Sequence, residues 1–213
     1  MTSWQQPTRE QVEKAVSLSV KEVDRRYFYS RLKNPLWLPV LIDVGVFNSP
    51  PPLIEMDNNT VRFTLWPELL YLHNIADKVP DEVIDLLVNL PKSNNPAIYD
   101  GVLQTAQKIQ VHHAEALLPK VLEYLNLKRI ISEFRFVEII GHWIKLGELE
   151  PALVLFKELV PFRRDSWHDR TAAPSSEKVD EYTSSPKPRF DKWEYDRLMS
   201  YVTPLTVYKP LAV

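Results

Sequence analysis

Three segments of this sequence align with one another at intervals of 35 residues: EVIDLLVNL (82–90), LLPKVLEYL (117–125) and ALVLFKELV (152–160). Apolar residues coincide at three positions of the alignment, namely Val83/Leu118/Leu153, Leu86/Val121/Phe156 and Leu90/Leu125/Val160. Apolar residues three or four apart lie on one face of a helix. The sequence between the segments predicts second helices at about 96–110 and 130–146. A helix-turn-helix unit that recurs at this interval is typical of a solenoid, in which each hairpin buries its apolar face against its neighbours.

Two stretches resemble known helical repeats. ALLPKVLEYL (116–125) resembles the first helix of a HEAT repeat, which often carries a proline within a leucine-rich stretch. GELEPA (147–152), followed by Phe156, resembles the second helix of a tetratricopeptide repeat, although Ile140 and Trp143 replace the small residue and the tyrosine of that family. Together with the repeat, these resemblances imply an all-α, right-handed solenoid of three to four HEAT-like or tetratricopeptide-like hairpins. These resemblances imply an architecture but say very little about function.

The amino-terminal third begins with a helix signal. Thr8 and Gln11 have the spacing of a capping box, in which the two side chains serve unpaired backbone donors. We expect this first helix to reach about Arg31. Its apolar stripe would comprise Val12, Ala15, Val16, Val20, Val23 and Tyr27.

The next elements are shorter. Asn34 and Pro35 suit the cap and the first turn of a second helix, and Gly45 suits its carboxyl-terminal cap. Residues 53–56 and 61–65 could pair as a small β-hairpin, and an irregular loop explains the same residues.

A further resemblance covers parts of this third. YFYSRLKNPLWL (27–38), GVF (45–47), PP (50–51) and WPE (66–68) are similar to a segment of large uncharacterised bacterial proteins. Some of those proteins carry nucleotide-hydrolysing or defence-associated domains elsewhere in the chain. The resemblance implies a bacterial helical module of a larger multidomain protein, without carrying over any active residue.

These signals divide the chain into four parts. An amino-terminal helical cap with an extended loop or hairpin covers 1–66, and the helical-repeat body covers 67–161. Residues 162–190 are rich in serine, proline and mixed charges, which is typical of a linker or long loop. A carboxyl-terminal helix and tail cover 191–213. An apolar tail either covers the last hairpin, around Phe156 and Leu159, or contacts another domain of a longer chain, and we expect it to dock on the body.

Composition excludes several classes of function. The 213 residues carry a net charge of −2 and include no cysteine, which excludes disulfide frameworks, cysteine-ligated zinc and thiol nucleophiles. There are only four glycines, and no phosphate-binding loop motif occurs. The amino terminus lacks the pattern of a signal peptide, and no stretch has the roughly 20 apolar residues of a membrane helix. We therefore expect a cytoplasmic protein without a membrane partner.

The histidines do not predict a metal site. His112, His113 and Glu115 are too close in sequence to converge from one helix, and no third ligand has suitable spacing. Glu138 and His142 lie four apart on one helix face, but a carboxylate-bridged centre needs a second acidic helix with the same motif. The sequence thus predicts no metal, no cofactor, no catalytic residue and no enzymatic activity.

A polar stripe on the 130–146 helix is the best candidate for a binding surface. Arg135, Glu138, His142 and Lys145 recur at i, i+3, i+7 and i+10, so that they share one face of an otherwise apolar helix. A corresponding face of the preceding unit carries Asp100, Gln104 and Gln107. Second helices of a solenoid align along one surface, which often binds protein partners or other domains. The sequence therefore favours a non-enzymatic interaction or scaffold module, and a merely solvated face explains the same residues.

The alternative function is nucleic-acid binding by a helical-repeat domain. Such binding requires a basic face that follows the phosphate backbone. The basic residues that could contribute to it are scattered: Lys128, Arg129, Arg163, Arg164 and Arg170. Nucleic acid is therefore the less favoured partner.

Overall fold

The computed structural model describes residues 5–56, 61–126, 133–159, 196–197 and 199–201, and this part of the chain is mostly helical, as predicted. The helices are α1 (Arg9–Leu18), α2 (Glu22–Arg31), a 3-10 turn (Pro35–Trp37), α3 (Leu38–Asp43), α4 (Glu68–Ile75), α5 (Pro80–Asn89), α6 (Pro96–Ala106), α7 (Ala114–Asn126), α8 (Glu133–Lys145) and α9 (Leu149–Leu159). Residues 196–197 and 199–201 are also helical, and we call them the C-terminal turn. The predicted linker at 162–190 and the rest of the predicted tail lie outside the described residues.

Helices α2 and α4 to α9 form two rows. In one row α2 packs on α4, α4 on α6 and α6 on α8, and in the other α5 packs on α7 and α7 on α9. The rows are joined where α4 contacts α5 and α8 contacts α9. Apolar side chains from both rows form one core, which includes Leu72, Leu87, Leu103, Leu117 and Trp143. Helices two apart in sequence are thus neighbours in space.

The buried positions of α5 and α7 differ by one residue from the predicted alignment. Between α5 and α7 the equivalent buried pairs lie 34 residues apart, namely Val83/Leu117, Leu87/Val121 and Leu90/Tyr124. Leu118, which the alignment paired with Val83, is only half-buried, and Leu153 is exposed. Leu117 and Leu118 are both leucines, so that hydrophobicity alone does not say which of them faces the core.

The predicted helix start and stop signals are confirmed. The Thr8 hydroxyl accepts a hydrogen bond from the Gln11 amide at 3.2 Å, and the Thr8 amide donates to the Gln11 side chain at 2.9 Å. The Asn34 side chain accepts from the Leu36 amide at 3.0 Å. Gly45 follows α3 with φ +81°, which favours glycine.

The single long helix predicted to reach Arg31 is wrong, because α1 ends at Leu18 and α2 begins at Glu22. At the break the Ser19 hydroxyl donates to the Ala15 carbonyl at 3.0 Å, a local bond that competes with continuation of the helix. The break also disrupts the predicted apolar stripe. Three of its residues are exposed to solvent: Val20 at 80%, Val23 at 76% and Tyr27 at 67%.

The predicted β-hairpin is present but short. Ile54–Glu55 pairs with Val61–Arg62 as two antiparallel strands, with Ile54 opposite Arg62 and Glu55 opposite Val61. All four paired residues are exposed. Two-residue strands on the surface contribute few hydrogen bonds, so that the hairpin must be held by contacts outside its own ladder.

Asn95 provides such contacts. Its fully buried side chain caps α6 by accepting from the Ala97 amide at 3.1 Å. Its amide nitrogen donates to the carbonyl of Pro51 at 3.1 Å and to that of Thr64 at 2.6 Å. One side chain thus ties both flanks of the hairpin to the start of α6.

Asn74 attaches the carboxyl end of α2 to α4 in a similar way. Its amide nitrogen donates to the carbonyls of Tyr29, Ser30 and Leu32 at 3.0–3.3 Å, at the carboxyl end of α2. These carbonyls lack helical partners, so that a side chain from α4 satisfies them.

Candidate partner-binding surface

Three of the seven predicted site residues form one polar group between α6 and α8. Arg135 Nε lies 2.5 Å from Asp100 Oδ1, and Gln104 Nε2 donates to Asp100 Oδ2 at 2.5 Å. The side chains of Arg135 and Asp100 are 28% and 40% exposed. The ion pair joins α6 to α8, so that the charges of Arg135 and Asp100 neutralise each other on this part of the predicted surface.

Glu138 and Lys145 face the C-terminal turn. Glu138 Oε1 lies 2.5 Å from Arg197 Nη2, as an ion pair without aligned hydrogen-bond geometry. Lys145 Nζ lies 5.7 Å from the centroid of the Tyr201 ring, within the range of a cation–π contact. This part of the predicted stripe therefore holds a segment of its own chain. The rest of the tail that we expect to dock around Phe156 and Leu159 lies outside the described residues.

Gly141 provides the space for Tyr201. A Cβ atom at position 141 would lie 2.7 Å from Cε2 and Cζ of the Tyr201 ring, much closer than carbon atoms approach without repulsion. The Tyr201 side chain is half-buried and packs against the core. The sequence does not predict a role for Gly141, because a glycine within a helix gives no indication of which side chain will pack against it.

The remaining two predicted residues, His142 and Gln107, are half-buried. His142 Nε2 lies 2.8 Å from the Ile109 carbonyl, in the loop that follows α6. The Gln107 side-chain nitrogen is buried without a hydrogen-bond partner. The structure thus divides the predicted residues into three sets: a paired group on α6 and α8, a contact with the C-terminal turn, and two half-buried residues, His142 and Gln107.

His142 adjoins a buried cluster built around His113. The His113 side chain is inaccessible to solvent, and its ring centroid lies 5.5 Å from that of His142. His113 Nδ1 lies 2.7 Å from the Val111 carbonyl, which can only accept, so that Nδ1 carries the proton. His113 Nε2 then accepts from Trp143 Nε1 at 3.1 Å. The partners select one neutral tautomer.

Glu148 completes this cluster from the turn before α9. Its carboxylate accepts from the amide of His113 at 3.0 Å and from that of Ala114 at 2.7 Å, at the start of α7. A carboxylate at the amino-terminal end of a helix accepts hydrogen bonds from backbone amides that lack helical partners, and its negative charge interacts favourably with the helix dipole. Each of these bonds joins residues 34 or 35 positions apart, and the sequence carries no local signal for either.

The contacts of His113 are therefore those of a buried structural residue. Its two ring nitrogens are engaged by a carbonyl and an indole, whereas His112 is exposed. Within the described ranges, no group of three or more histidine, aspartate or glutamate side chains lies close enough to hold a metal ion. The chemical change open to this cluster is protonation of its histidine rings.

Stability should fall as the solution becomes acidic. Burial lowers the pKa of His113 and of His142, and this effect outweighs the opposing attraction of Glu148. Below about pH 6.5 the unfolded chain, with ordinary histidines, binds more protons than the folded one, and protonation favours unfolding. We expect the free energy of unfolding to be level above about pH 7 and to decrease by up to about 1.4 kcal/mol per pH unit for each such histidine below about pH 6.5.

Urea denaturation between about pH 5 and pH 8 measures this dependence. A His113→Gln variant should show a shallower slope than the parent protein, because it has one titrating ring fewer. His112→Gln, at an exposed neighbouring position, is the matched control and should keep the slope. A stability that increases towards pH 5.5 would mean that attraction between Glu148 and protonated His113 dominates.

Comparisons with known proteins return no relative: no family model matches the chain, and no curated protein or solved structure does. Within the part of the chain that the structure describes, no helix combines the length and apolar character needed to cross a membrane.

Proposed function

We propose that this protein is a non-enzymatic protein–protein interaction module, an α-solenoid of HEAT-like or tetratricopeptide-like hairpins within a larger, defence-associated bacterial protein. Two features support the solenoid: the two rows in which helices two apart pack together, and the bonds at 34 and 35 residues that join one unit to the next. The proposed binding surface is the side of α6 and α8 that carries Asp100, Gln104, Arg135, Glu138 and Lys145.

One observation carries the interaction role: this surface already binds a helical segment. Glu138, Gly141 and Lys145 each contact the C-terminal turn through a different kind of interaction, namely an ion pair, close packing and a cation–π contact. Helix recognition by partners commonly combines such anchors along one face. A surface that holds one helix in this way is suited to holding another.

Nucleic-acid binding remains the second candidate, and the described surface does not favour it. Asp100 neutralises Arg135, and Glu138 lies between Arg135 and Lys145 along α8. A phosphate backbone requires a continuous basic face. The scattered basic residues that motivated this alternative, such as Lys128 and Arg163, lie outside the described residues.

Charge reversal on α8 tests the proposal. A tagged full-length chain should recover a specific protein from an extract of its source cells, whereas the Arg135→Glu/Lys145→Glu variant should not. Because Arg135 pairs with Asp100, the reversal places two carboxylates together, and we expect a loss of about 1 kcal/mol of stability, above the usual range for a surface change.

Two further variants separate binding from stability. Asp100→Arg/Arg135→Asp keeps an ion pair with exchanged charges, so that it should retain stability and still lose the partner. Lys157→Glu, on an exposed position of α9, is the matched control and should retain both. Equal recovery by the parent protein and the reversal variant would contradict a role for this surface.

A further inference from the structure

The contact between α8 and the C-terminal turn is complementary residue by residue. Glu138, Gly141 and Lys145 are spaced i, i+3 and i+7 and therefore share one face of α8. Arg197 and Tyr201 are spaced i and i+4 and share one face of the C-terminal turn. The acidic residue meets the arginine, while the glycine and the lysine meet the tyrosine ring.

From this arrangement we propose that the α8 face of Glu138, Gly141 and Lys145 recognises a helical segment of a protein partner with arginine and tyrosine four residues apart. The chain's own C-terminal turn is the intramolecular occupant of this site, and the partner helix displaces it. The inference rests on the proposed function and specifies the class of partner.

The arginine position requires more than a positive charge. The Arg197 guanidinium lies 5.2 Å from the centroid of the Phe134 ring while it pairs with Glu138. A planar guanidinium can stack on an aromatic ring and direct several donors at once, which a lysine ammonium does not do equally well. Glu138 is only 23% exposed, so that its carboxylate depends on a partner cation.

The tyrosine position is defined by the absence of a side chain at Gly141. The ring occupies the volume that any Cβ atom would take, and it packs against the core beneath. Lys145 covers the ring at 5.7 Å. A flat aromatic residue fits this narrow space.

Occupation by the chain's own segment predicts competition. A tethered ligand acts at an effective concentration of about 1 mM, so that a free helix must compete with it. For a free peptide with a dissociation constant of about 100 μM, the tethered segment should weaken apparent binding by about tenfold.

The test uses a fluorescein-labelled synthetic peptide of residues 191–206 and the full-length chain. In fluorescence anisotropy the peptide should bind the Arg197→Ala/Tyr201→Ala chain, whose own turn is disabled, about tenfold more tightly than it binds the parent chain. Equal binding to both chains, or none to the disabled chain at about 1 mM peptide, would overturn the proposal.

Exchange of charges tests the recognition itself. Glu138→Arg on the disabled chain should abolish binding of the peptide, and a peptide with Arg197→Glu should restore it. Lys157→Glu on the disabled chain is the matched control and should leave affinity unchanged. If Glu138→Arg left the affinity for the peptide unchanged, the assigned site would be wrong.

Gly141→Ala provides a measurement that does not depend on the peptide. Alanine is a better helix former than glycine by about 1 kcal/mol, so that α8 itself should not be weakened. Its Cβ atom should nevertheless displace Tyr201. We expect hydrogen–deuterium exchange in the fragment containing 196–201 to accelerate at least about tenfold while the exchange of α7 is unchanged. Unchanged protection of that fragment would overturn the assigned contact.

These outcomes distinguish the two proposals. If the peptide and Gly141→Ala results fail while partner recovery still depends on Arg135 and Lys145, the surface binds a partner of different chemistry and only this inference is wrong. If the peptide binds as expected and no partner depends on these residues, the proposed function is wrong, and the site serves the chain's own segment alone.

Discussion

Replacement of Trp143 by alanine is expected to lower the free energy of unfolding by about 3–5 kcal/mol, the usual cost of removing a fully buried aromatic ring. Trp143 is inaccessible to solvent and lies among the largest buried side chains of the described core. The change would leave a cavity between the two rows of helices. It would also leave His113 Nε2 without its donor. Urea denaturation followed by circular dichroism measures the loss as a lower midpoint.

Trp143→Phe separates the two contributions. Phenylalanine keeps most of the buried surface but lacks the indole N–H, so that the expected loss is about 1–3 kcal/mol, the cost of an unsatisfied buried acceptor. An alanine variant that loses less than about 1 kcal/mol would contradict the central place of Trp143 in the core.

Asn95→Asp should destabilise the protein by about 3 kcal/mol or more, although the two side chains have nearly the same shape. The Asn95 nitrogen donates to the carbonyls of Pro51 and Thr64. In the variant a carboxylate oxygen would face these two carbonyl oxygens in a fully buried position, with neither a hydrogen bond nor a counter-charge. Thermal and urea denaturation at neutral pH measure the loss.

The neighbouring residue supplies the control. Asn94 is exposed, and its side-chain oxygen accepts from the Leu53 amide at 3.3 Å. Asn94→Asp keeps an oxygen acceptor there, so that stability should change by no more than about 0.5 kcal/mol. A similar loss in both variants would indicate a general effect of added negative charge rather than the buried position of Asn95.

The confirmed predictions concern contacts between residues that are close in sequence. Thr8 and Gln11, or Asn34 and Leu36, are two or three residues apart, and the geometry of a helix start brings them together in any tertiary context. Gly45 likewise ends a helix by its own backbone conformation. Such predictions depend on residue type and spacing, which are visible in a single sequence.

Periodicity was informative about elements and less so about faces. It located the helices of the body, but it chose Leu118 over Leu117 as the partner of Val83, and it extended the first helix through Ser19. Two adjacent leucines satisfy the same pattern, and only the position of the neighbouring helix decides which one is buried. The same reasoning identified the polar stripe on α8 but not the contacts of His142 with the Ile109 carbonyl and the His113 ring.

Helical class and cap positions were thus determined by the sequence itself, because each follows from interactions within a few residues. The contacts that organise the molecule were decided by tertiary structure: Glu148 at the start of α7, Asn95 against two distant carbonyls, and Arg197 on Glu138. Each joins residues more than 30 positions apart, and the bond exists only when packing of the apolar faces has brought two helices together. The identity of a polar residue does not indicate which distant residue the packing will bring within hydrogen-bond distance.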